Sequence, residues 1–141
     1  MEMVMLIGIP ASGKSSFYKE RFFDTHVRIS LDQLNTRNKE GRFLSLALEL
    51  QQRFVLDNTS VLKRERAKYI SIVKMKGYRV IGYYFDLPLS VCLERNEARA
   101  GKNKIERVGV LAKFRELEAP SLEEGFNELY VIRNDESVVN I

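Results

Sequence analysis

A glycine-rich segment near the start of the chain has the residue types that bind phosphate. Residues 8–15 read GIPASGKS and match the pattern G-x-x-x-x-G-K-[ST] at every fixed position. Backbone N–H groups of such a loop can surround a phosphate, because Gly8 and Gly13 permit the backbone path and a close approach. Lys14 can bridge the β- and γ-phosphates, and the Ser15 hydroxyl can ligate Mg²⁺. The segment therefore predicts a site for ATP and Mg²⁺.

Two aspartates follow predicted strands and could act on the same triphosphate. Asp57 ends a short apolar run, and an acid in that place can hold Mg²⁺ directly or through water. Asp32 follows another such run and could accept the proton of an attacking hydroxyl as a general base. The alternative for both is structural, because aspartate is a preferred N-cap after a strand. One residue can also fill both roles.

A basic segment in the second half of the chain could close over the triphosphate. Arg95 and Arg99 are four residues apart in a predicted helix, so they share a face. The cations that follow them are Lys102, Lys104 and Arg107. An arginine placed near the γ-phosphate stabilises the charge that spreads over its oxygens, so we predict a basic helical lid over approximately residues 95–107. The alternative is a solvated helix face, because glutamates lie beside both arginines.

These residues form one predicted site. The predicted nucleotide-binding residues are Gly8, Ala11, Ser12, Gly13, Lys14, Ser15, Ser16, Arg95 and Arg99. The predicted catalytic residues are Lys14, Asp32 and Arg99, and the predicted metal ligands are Ser15 and Asp57. The reaction that this set favours is transfer of the γ-phosphoryl group of ATP to a hydroxyl.

Short apolar strands alternate with helical patterns along the whole chain. The predicted strands are residues 3–7, 27–30, 54–57, 79–85 and 129–132. The predicted helices are residues 14–22, 43–51, 61–76, 90–99 and 108–118. This alternation predicts an α/β fold with a central parallel sheet of about five strands flanked by helices. In such a sheet ligands bind beyond the carboxyl ends of the strands, which is where the predicted site residues lie.

The composition is that of one compact domain. The chain has 141 residues, of which 45% are hydrophobic, so one core can form and a second domain has no room. The longest apolar runs are too short to cross a bilayer, and the N-terminus lacks the pattern of an export signal. The one cysteine, Cys92, cannot form an internal disulfide. We therefore expect a cytoplasmic protein with no membrane partner and no disulfide-linked partner.

The chain carries a net charge of +4, and the basic residues are unevenly distributed. Residues 63–79 contain one acid, Glu65, among the cations Lys63, Arg64, Arg66, Lys68, Lys74, Lys76 and Arg79. A basic helix of this kind can follow a phosphate backbone. The alternative is an ordinary exposed helix face.

The order of several segments resembles the 5′-kinase domain of phage and animal polynucleotide kinases, over nearly the whole chain. After the phosphate loop come Ser30-Leu31-Asp32, Leu56-Asp57-Asn58-Thr59, Arg95-Asn96 with Arg99, and Phe114 with the segment EAPSLEEGF at residues 118–126. The resemblance implies that Asp32 is the general base that activates a 5′-hydroxyl of DNA or RNA. It further implies that Asp57 belongs to the metal and phosphate site and that the two arginines belong to a lid.

The chain departs from that family where some members bind an acceptor phosphate. Those members carry an arginine three residues after the base, and Asn35 stands there in this chain, with Arg37, Lys39 and Arg42 as possible substitutes. Relatives of the same P-loop branch phosphorylate small molecules or sugars. Two alternatives therefore stay open, a kinase of a small hydroxyl compound and a nucleotide-binding regulatory module with little turnover.

Overall fold

Six strands form one sheet at the centre of the computed structural model, which describes residues 1–141 except for the side chain of Lys102. The strands are β1 (Glu2–Ile7), β2 (Val27–Ile29), β3 (Phe54–Leu56), β4 (Arg79–Phe85), β5 (Glu128–Ile132) and β6 (Val138–Asn140). They lie in the order β2-β3-β1-β4-β5-β6. The first five are parallel, which confirms the predicted sheet, and β6 adds an antiparallel edge beside β5.

Helices cover both faces of this sheet. They are α1 (Lys14–Arg21), α2 (Leu31–Leu34), α3 (Arg37–Glu49), α4 (Lys63–Met75), α5 (Leu89–Glu97) and α6 (Arg107–Glu116). Short 3₁₀ turns occur at Gly101–Asn103 and Leu122–Glu124. Among the described residues, every helix is too short or too polar to span a lipid bilayer.

The central strand β1 is buried on both faces, which explains its unbroken apolar sequence. Met3, Met5 and Ile7 pack into one core with apolar residues of α3 and α4. Val4 and Leu6 point to the opposite face and pack with residues of α1, α5 and α6. The second core includes Cys92, which is buried and free.

Strands β1, β2 and β3 run in the same direction, so their carboxyl ends meet at one edge of the sheet. Leu56 at the end of β3 is in register with Met5 of β1 and with Ile29 of β2. The phosphate loop, Asp32 and Asp57 therefore leave the sheet close together, as the predicted α/β fold requires.

Three elements differ most from the sequence prediction. Helix α3 begins at Arg37, six residues before the predicted start, because the Thr36 side chain accepts a hydrogen bond from the backbone N–H of Lys39 and caps it. The prediction followed the apolar stripe, and the first turns of α3 are polar. Helix α2 and strand β6 were not predicted, because four and three residues are too few to show a period.

Candidate active site

The phosphate loop joins the carboxyl end of β1 to the first residue of α1. Gly13 adopts the left-handed conformation with φ 100°, which favours glycine there. At Gly8 a Cβ atom would lie 2.7 Å from the Ser12 hydroxyl and 3.0 Å from Cβ of Phe85, so only glycine fits without movement. Among the described side chains, the Ser12 hydroxyl is one of two buried polar groups without a hydrogen-bond partner. The loop thus carries a buried hydroxyl that a bound phosphate could satisfy.

Lys14 lies against the inside of this loop. Its Nζ donates hydrogen bonds to the backbone oxygens of Gly8 and Ile9, each at 2.9 Å. Burial lowers the pKa of Lys14 to about 8, an effect that the nearby charge of Asp57 partly offsets. A bound phosphate would favour the charged form of this amine.

The two predicted metal ligands are in direct contact. The Ser15 hydroxyl donates to Oδ2 of Asp57 at 3.0 Å, and the Asp57 side chain is only 2% exposed. A hydroxyl and one carboxylate are the oxygen donors that Mg²⁺ takes in proteins when substrate phosphates complete its ligands, so the residues fit this ion. The N-cap alternative for Asp57 is wrong, because α4 begins later and has Leu62 at its N-cap position.

Arg28 of β2 joins this pair, and the sequence analysis missed it. Its Nε donates to Asp57 Oδ2 at 2.8 Å, and its Nη2 donates to the Ser15 hydroxyl at 3.1 Å. The guanidinium thereby links both candidate metal ligands. The available signal was a cation in the middle of a strand, between Val27 and Ile29.

Asp32 lies in the first turn of α2, directly after β2. The N-cap of α2 is Ser30, whose side chain accepts from the backbone N–H of Asp32 at 3.2 Å. The N-cap alternative for Asp32 is therefore also wrong. Asp32 lines a cleft of about 240 Å³ together with Lys14, Ser15, Asp57 and Arg99.

A second cavity of about 520 Å³ lies on the other side of the loop. Its lining includes the predicted residues Ala11, Ser12, Gly13, Ser16, Arg95 and Arg99. Ala11, Gly13 and Arg99 line both cavities, so the phosphate loop and one arginine separate them. Gly8 lines neither, and it acts through its backbone bond to Lys14.

Asn96 joins the two ends of the segment that follows α5, so that residues 96–105 form a closed loop. This buried side chain donates to the backbone oxygen of Ile105 at 2.6 Å and accepts from its N–H at 3.0 Å. Arg99 lies within the closed loop and donates to the oxygen of Asn103 at 3.3 Å. Lys104 pairs with Glu97 at 3.3 Å, and the side chain of Lys102 lies outside the described residues. Both arginines line a cavity, but α5 ends at Glu97, so Arg99 lies beyond the helix and the predicted shared helix face with Arg95 is wrong.

The basic helix α4 is less available to a polyanion than its sequence indicates. Arg66 is completely buried and pairs with Glu124 through two hydrogen bonds of 2.8 and 3.2 Å. It also donates to the backbone oxygens of Ser60 and Val61, so it holds the segment after β3 rather than a ligand. The other cations of residues 63–79 are exposed.

Comparison with known proteins agrees with the fold. A family model described as an AAA domain matches residues 35–119, a segment that begins after the phosphate loop. The bifunctional polynucleotide phosphatase/kinase of Schizosaccharomyces pombe is 28% identical over 108 residues, which cover 75% of this chain. The match spans only 24% of that relative's length. It confirms the resemblance to polynucleotide kinases for this part of the relative.

Solved structures share the fold at low sequence identity. Chaetomium thermophilum Kti12 in complex with ADP-AlF3 has a TM-score of 0.71 at 15% identity, covering 96% of this chain and 90% of its own. A sugar kinase from Janibacter sp. has a TM-score of 0.69 at 17% identity, covering 97% and 87%. The APS kinase CysC of Mycobacterium tuberculosis, in complex with AMPPNP and APS, has a TM-score of 0.61 at 18% identity, covering 96% and 90%.

The predicted P-loop kinase fold is confirmed by these structures, and the family match covers more than half of the chain. The chain therefore belongs to the AAA domain family and forms a P-loop, kinase-like α/β domain.

Proposed function

We propose that this protein is an ATP-dependent kinase that transfers the γ-phosphoryl group to the 5′-hydroxyl end of DNA or RNA. The observation that carries the proposal is the pair of cavities on either side of the phosphate loop. One cavity suits a donor nucleotide and the other suits an acceptor. Arg99 lines both of them, so it lies where a phosphoryl group would pass.

The donor side takes ATP. The nucleoside lies in the larger cavity, and the phosphates follow the loop past the buried Ser12 hydroxyl towards Lys14. Arg95 and Arg99 form part of a lid over approximately residues 95–107 and neutralise phosphate charge. The neighbours solved with ADP-AlF3 and with AMPPNP support a nucleotide as the ligand of this fold.

Ser15 and Asp57 would hold Mg²⁺, and Arg28, which contacts both side chains, would orient them. When bound, the ion would neutralise the phosphate oxygens and so favour departure of ADP. Little covalent chemistry is required of the protein itself, so correct positioning and charge account for most of the rate.

The acceptor side contains the general base. Asp32 takes the proton of the acceptor hydroxyl as its oxygen forms a bond to the γ-phosphorus. The bond between the γ-phosphorus and the β–γ bridging oxygen breaks in line, and ADP leaves. The products are ADP and a 5′-phosphorylated end, and the proton passes from Asp32 to solvent.

Two observations favour a polynucleotide acceptor. The first is the similarity to the Schizosaccharomyces pombe phosphatase/kinase. The second is the charge of the acceptor cleft, where the cations Arg37 and Lys113 lie around Asp32. Of the predicted substitutes for the missing arginine, Arg37 is the one that lines this cleft, so we propose it as the contact for an acceptor phosphate.

A kinase of a small hydroxyl compound is the second candidate. The neighbouring folds include a sugar kinase and a gluconokinase from Sinorhizobium meliloti, the latter with a TM-score of 0.60 at 19% identity. A panel of acceptors separates the two candidates. Labelled ATP would be offered with 5′-hydroxyl DNA, 5′-hydroxyl RNA, gluconate and simple sugars. Label on an oligonucleotide supports the proposal, and label on a small compound alone overturns the proposed acceptor.

A further inference from the structure

Helix α2 depends on a neighbouring element for its position. It has only four residues, too few to be stable alone, and its first N–H groups have no partner within the helix. Ser30 satisfies the N–H of Asp32, but Ser30 is itself part of the same segment. The N–H of Leu31 donates at 2.9 Å to Oδ1 of Asn58, which follows β3. This bond ties the start of α2 to the edge of the sheet.

The amide of Asn58 is oriented by Glu40 of α3. Its Nδ2 donates to Oε2 of Glu40 at 2.7 Å. The carboxylate of Glu40 accepts this bond and the Leu31 N–H donates, so the amide nitrogen faces Glu40 and the amide oxygen faces Leu31. A flipped amide would place two acceptors together on one side and two donors together on the other. The orientation of Asn58 is therefore determined by both of its partners.

Glu40 is a buried carboxylate held from two helices. Its side chain is 4% exposed, and its Oε1 accepts from the Tyr69 hydroxyl of α4 and from Nη1 of Arg37. Burial, and then the bond to Glu40, raise the pKa of Tyr69, so this hydroxyl stays a donor. A carboxylate with this many partners cannot turn freely, and the Asn58 amide is fixed with it.

We propose that Asn58 and Glu40 are positioning residues for Asp32. The relay from Glu40 through Asn58 to Leu31 sets the distance between the candidate base and the rest of the site. Asn58 directly follows Asp57, so the end of β3 carries both the candidate metal ligand and the tether of the candidate base. This inference rests on the role proposed above for Asp32, and it gives a role to Asn58 of the segment Leu56-Asp57-Asn58-Thr59.

A charge exchange tests the relay. Asn58→Asp keeps an acceptor for Leu31 but sets a second carboxylate against Glu40, so the two repel. Adding Glu40→Gln to Asn58→Asp restores the hydrogen bond, because an amide donor at position 40 then faces a carboxylate acceptor at position 58. The matched control is Asn127→Asp, because Asn127 also accepts a backbone N–H, that of Val80 at 2.8 Å, but lies away from both cavities.

Two readouts are measured on each variant. The first is the kcat and the KM for ATP in the transfer assay, and the second is hydrogen exchange at the Leu31 amide. In Asn58→Asp we expect kcat to fall roughly 10- to 100-fold, because a small displacement of a catalytic group has an effect of that size. The KM for ATP should stay unchanged, and exchange at Leu31 should accelerate. The double variant should recover both, and Asn127→Asp should behave as the wild type.

Several results would overturn the inference. One is a wild-type kcat in Asn58→Asp, and another is a folded double variant that stays as slow as Asn58→Asp. If Asn58→Asp does not fold, Asn58→Ala takes its place in the assay. Adding Glu40→Gln to Asn58→Ala must then leave kcat low, because alanine offers no acceptor to the new amide. If the wild type phosphorylates no acceptor, the proposed function fails. Hydrogen exchange at the Leu31 amide still tests the relay in that case. Unchanged exchange in Asn58→Asp would refute the relay without bearing on the proposed function.

Discussion

Lys14 is buried in the phosphate loop, and burial disfavours the charged form of its amine. It contacts two backbone oxygens, and burial brings its pKa down to about 8. The charged form is the one that a phosphate binds, so binding must raise this pKa. Nucleotide affinity and protonation of Lys14 are therefore linked.

We predict that affinity for ATP measured in EDTA declines as the pH rises through about 8. Below that value Lys14 is already charged and binding needs no proton. Above it the free protein must take up a proton, so affinity falls by up to about tenfold per pH unit. Calorimetry between about pH 7 and pH 9.5 measures this decline, and Lys14→Arg, which stays charged, is the control. A wild-type affinity that is flat over this interval would contradict the assignment.

Single residues differed in how well the sequence predicted them. Gly8, Lys14 and Ser15 could be proposed from the sequence because their chemistry depends on spacing along one loop. Arg28 and Glu40 could not, because they act through contacts between segments that are distant in sequence. A cation in a strand or an acid in a helix has many uses, and only the fold shows which groups it meets.

The short loop between α5 and α6 depends on one buried side chain. Asn96→Ala removes both hydrogen bonds to Ile105 and leaves Arg99 on a loop that is no longer closed. We expect a loss of about 1–3 kcal/mol in stability from the unpaired backbone groups. We also expect a roughly tenfold or larger fall in kcat/KM for ATP, because Arg99 loses its position.

Glu97→Gln is the comparison for this loop. It removes only the exposed ion pair with Lys104, so stability should change by less than about 0.5 kcal/mol. Urea unfolding and the transfer assay measure both variants. Equal effects of the two substitutions would show that the buried bonds of Asn96 are not what holds the loop.

The elements that the sequence predicted well are the long or strongly apolar ones. Strand β1 was evident from an unbroken apolar run, because it is buried on both faces. The polar first turns of α3 and the short α2 carry no such pattern, and both are held by side-chain caps and tertiary contacts. Helix α2 carries Asp32, the proposed general base, and it was among the elements that the sequence did not predict.

Across the whole domain, a buried ion pair connects α4, the second 3₁₀ turn and the segment after β3. Arg66 of α4 and Glu124 of the second 3₁₀ turn are 0% and 3% exposed, and Arg66 also holds the backbone after Asp57. Arg66→Met leaves a buried carboxylate without its cation, which should reduce the free energy of unfolding by about 3–5 kcal/mol. Arg79→Met breaks the exposed pair with Glu128, and we expect a loss of about 0–1 kcal/mol.

Urea unfolding of these two variants tests the contrast. A loss for Arg66→Met as small as that for Arg79→Met would contradict a structural role for the buried pair.

The fold as a whole defines the donor side more closely than the acceptor side. Similar folds occur in a sugar kinase, a gluconokinase and an APS kinase, so one architecture serves different acceptors. In the proposed function, the choice of acceptor would depend on the few side chains around Asp32, above all Arg37 and Lys113. Those residues lie on separate elements, and their meeting could not be predicted from the order of motifs.

The most direct test of the proposed function is transfer of labelled γ-phosphate to an oligonucleotide. Wild type, Asp32→Asn and the control Asp24→Asn, an exposed aspartate before β2, would each be given a 5′-hydroxyl strand and a 5′-phosphorylated strand. We predict label on the 5′-hydroxyl strand alone, abolished by Asp32→Asn and kept by Asp24→Asn. Absence of label on both strands while ATP still binds would contradict the polynucleotide acceptor. Full activity of Asp32→Asn would contradict the role of Asp32 as the general base.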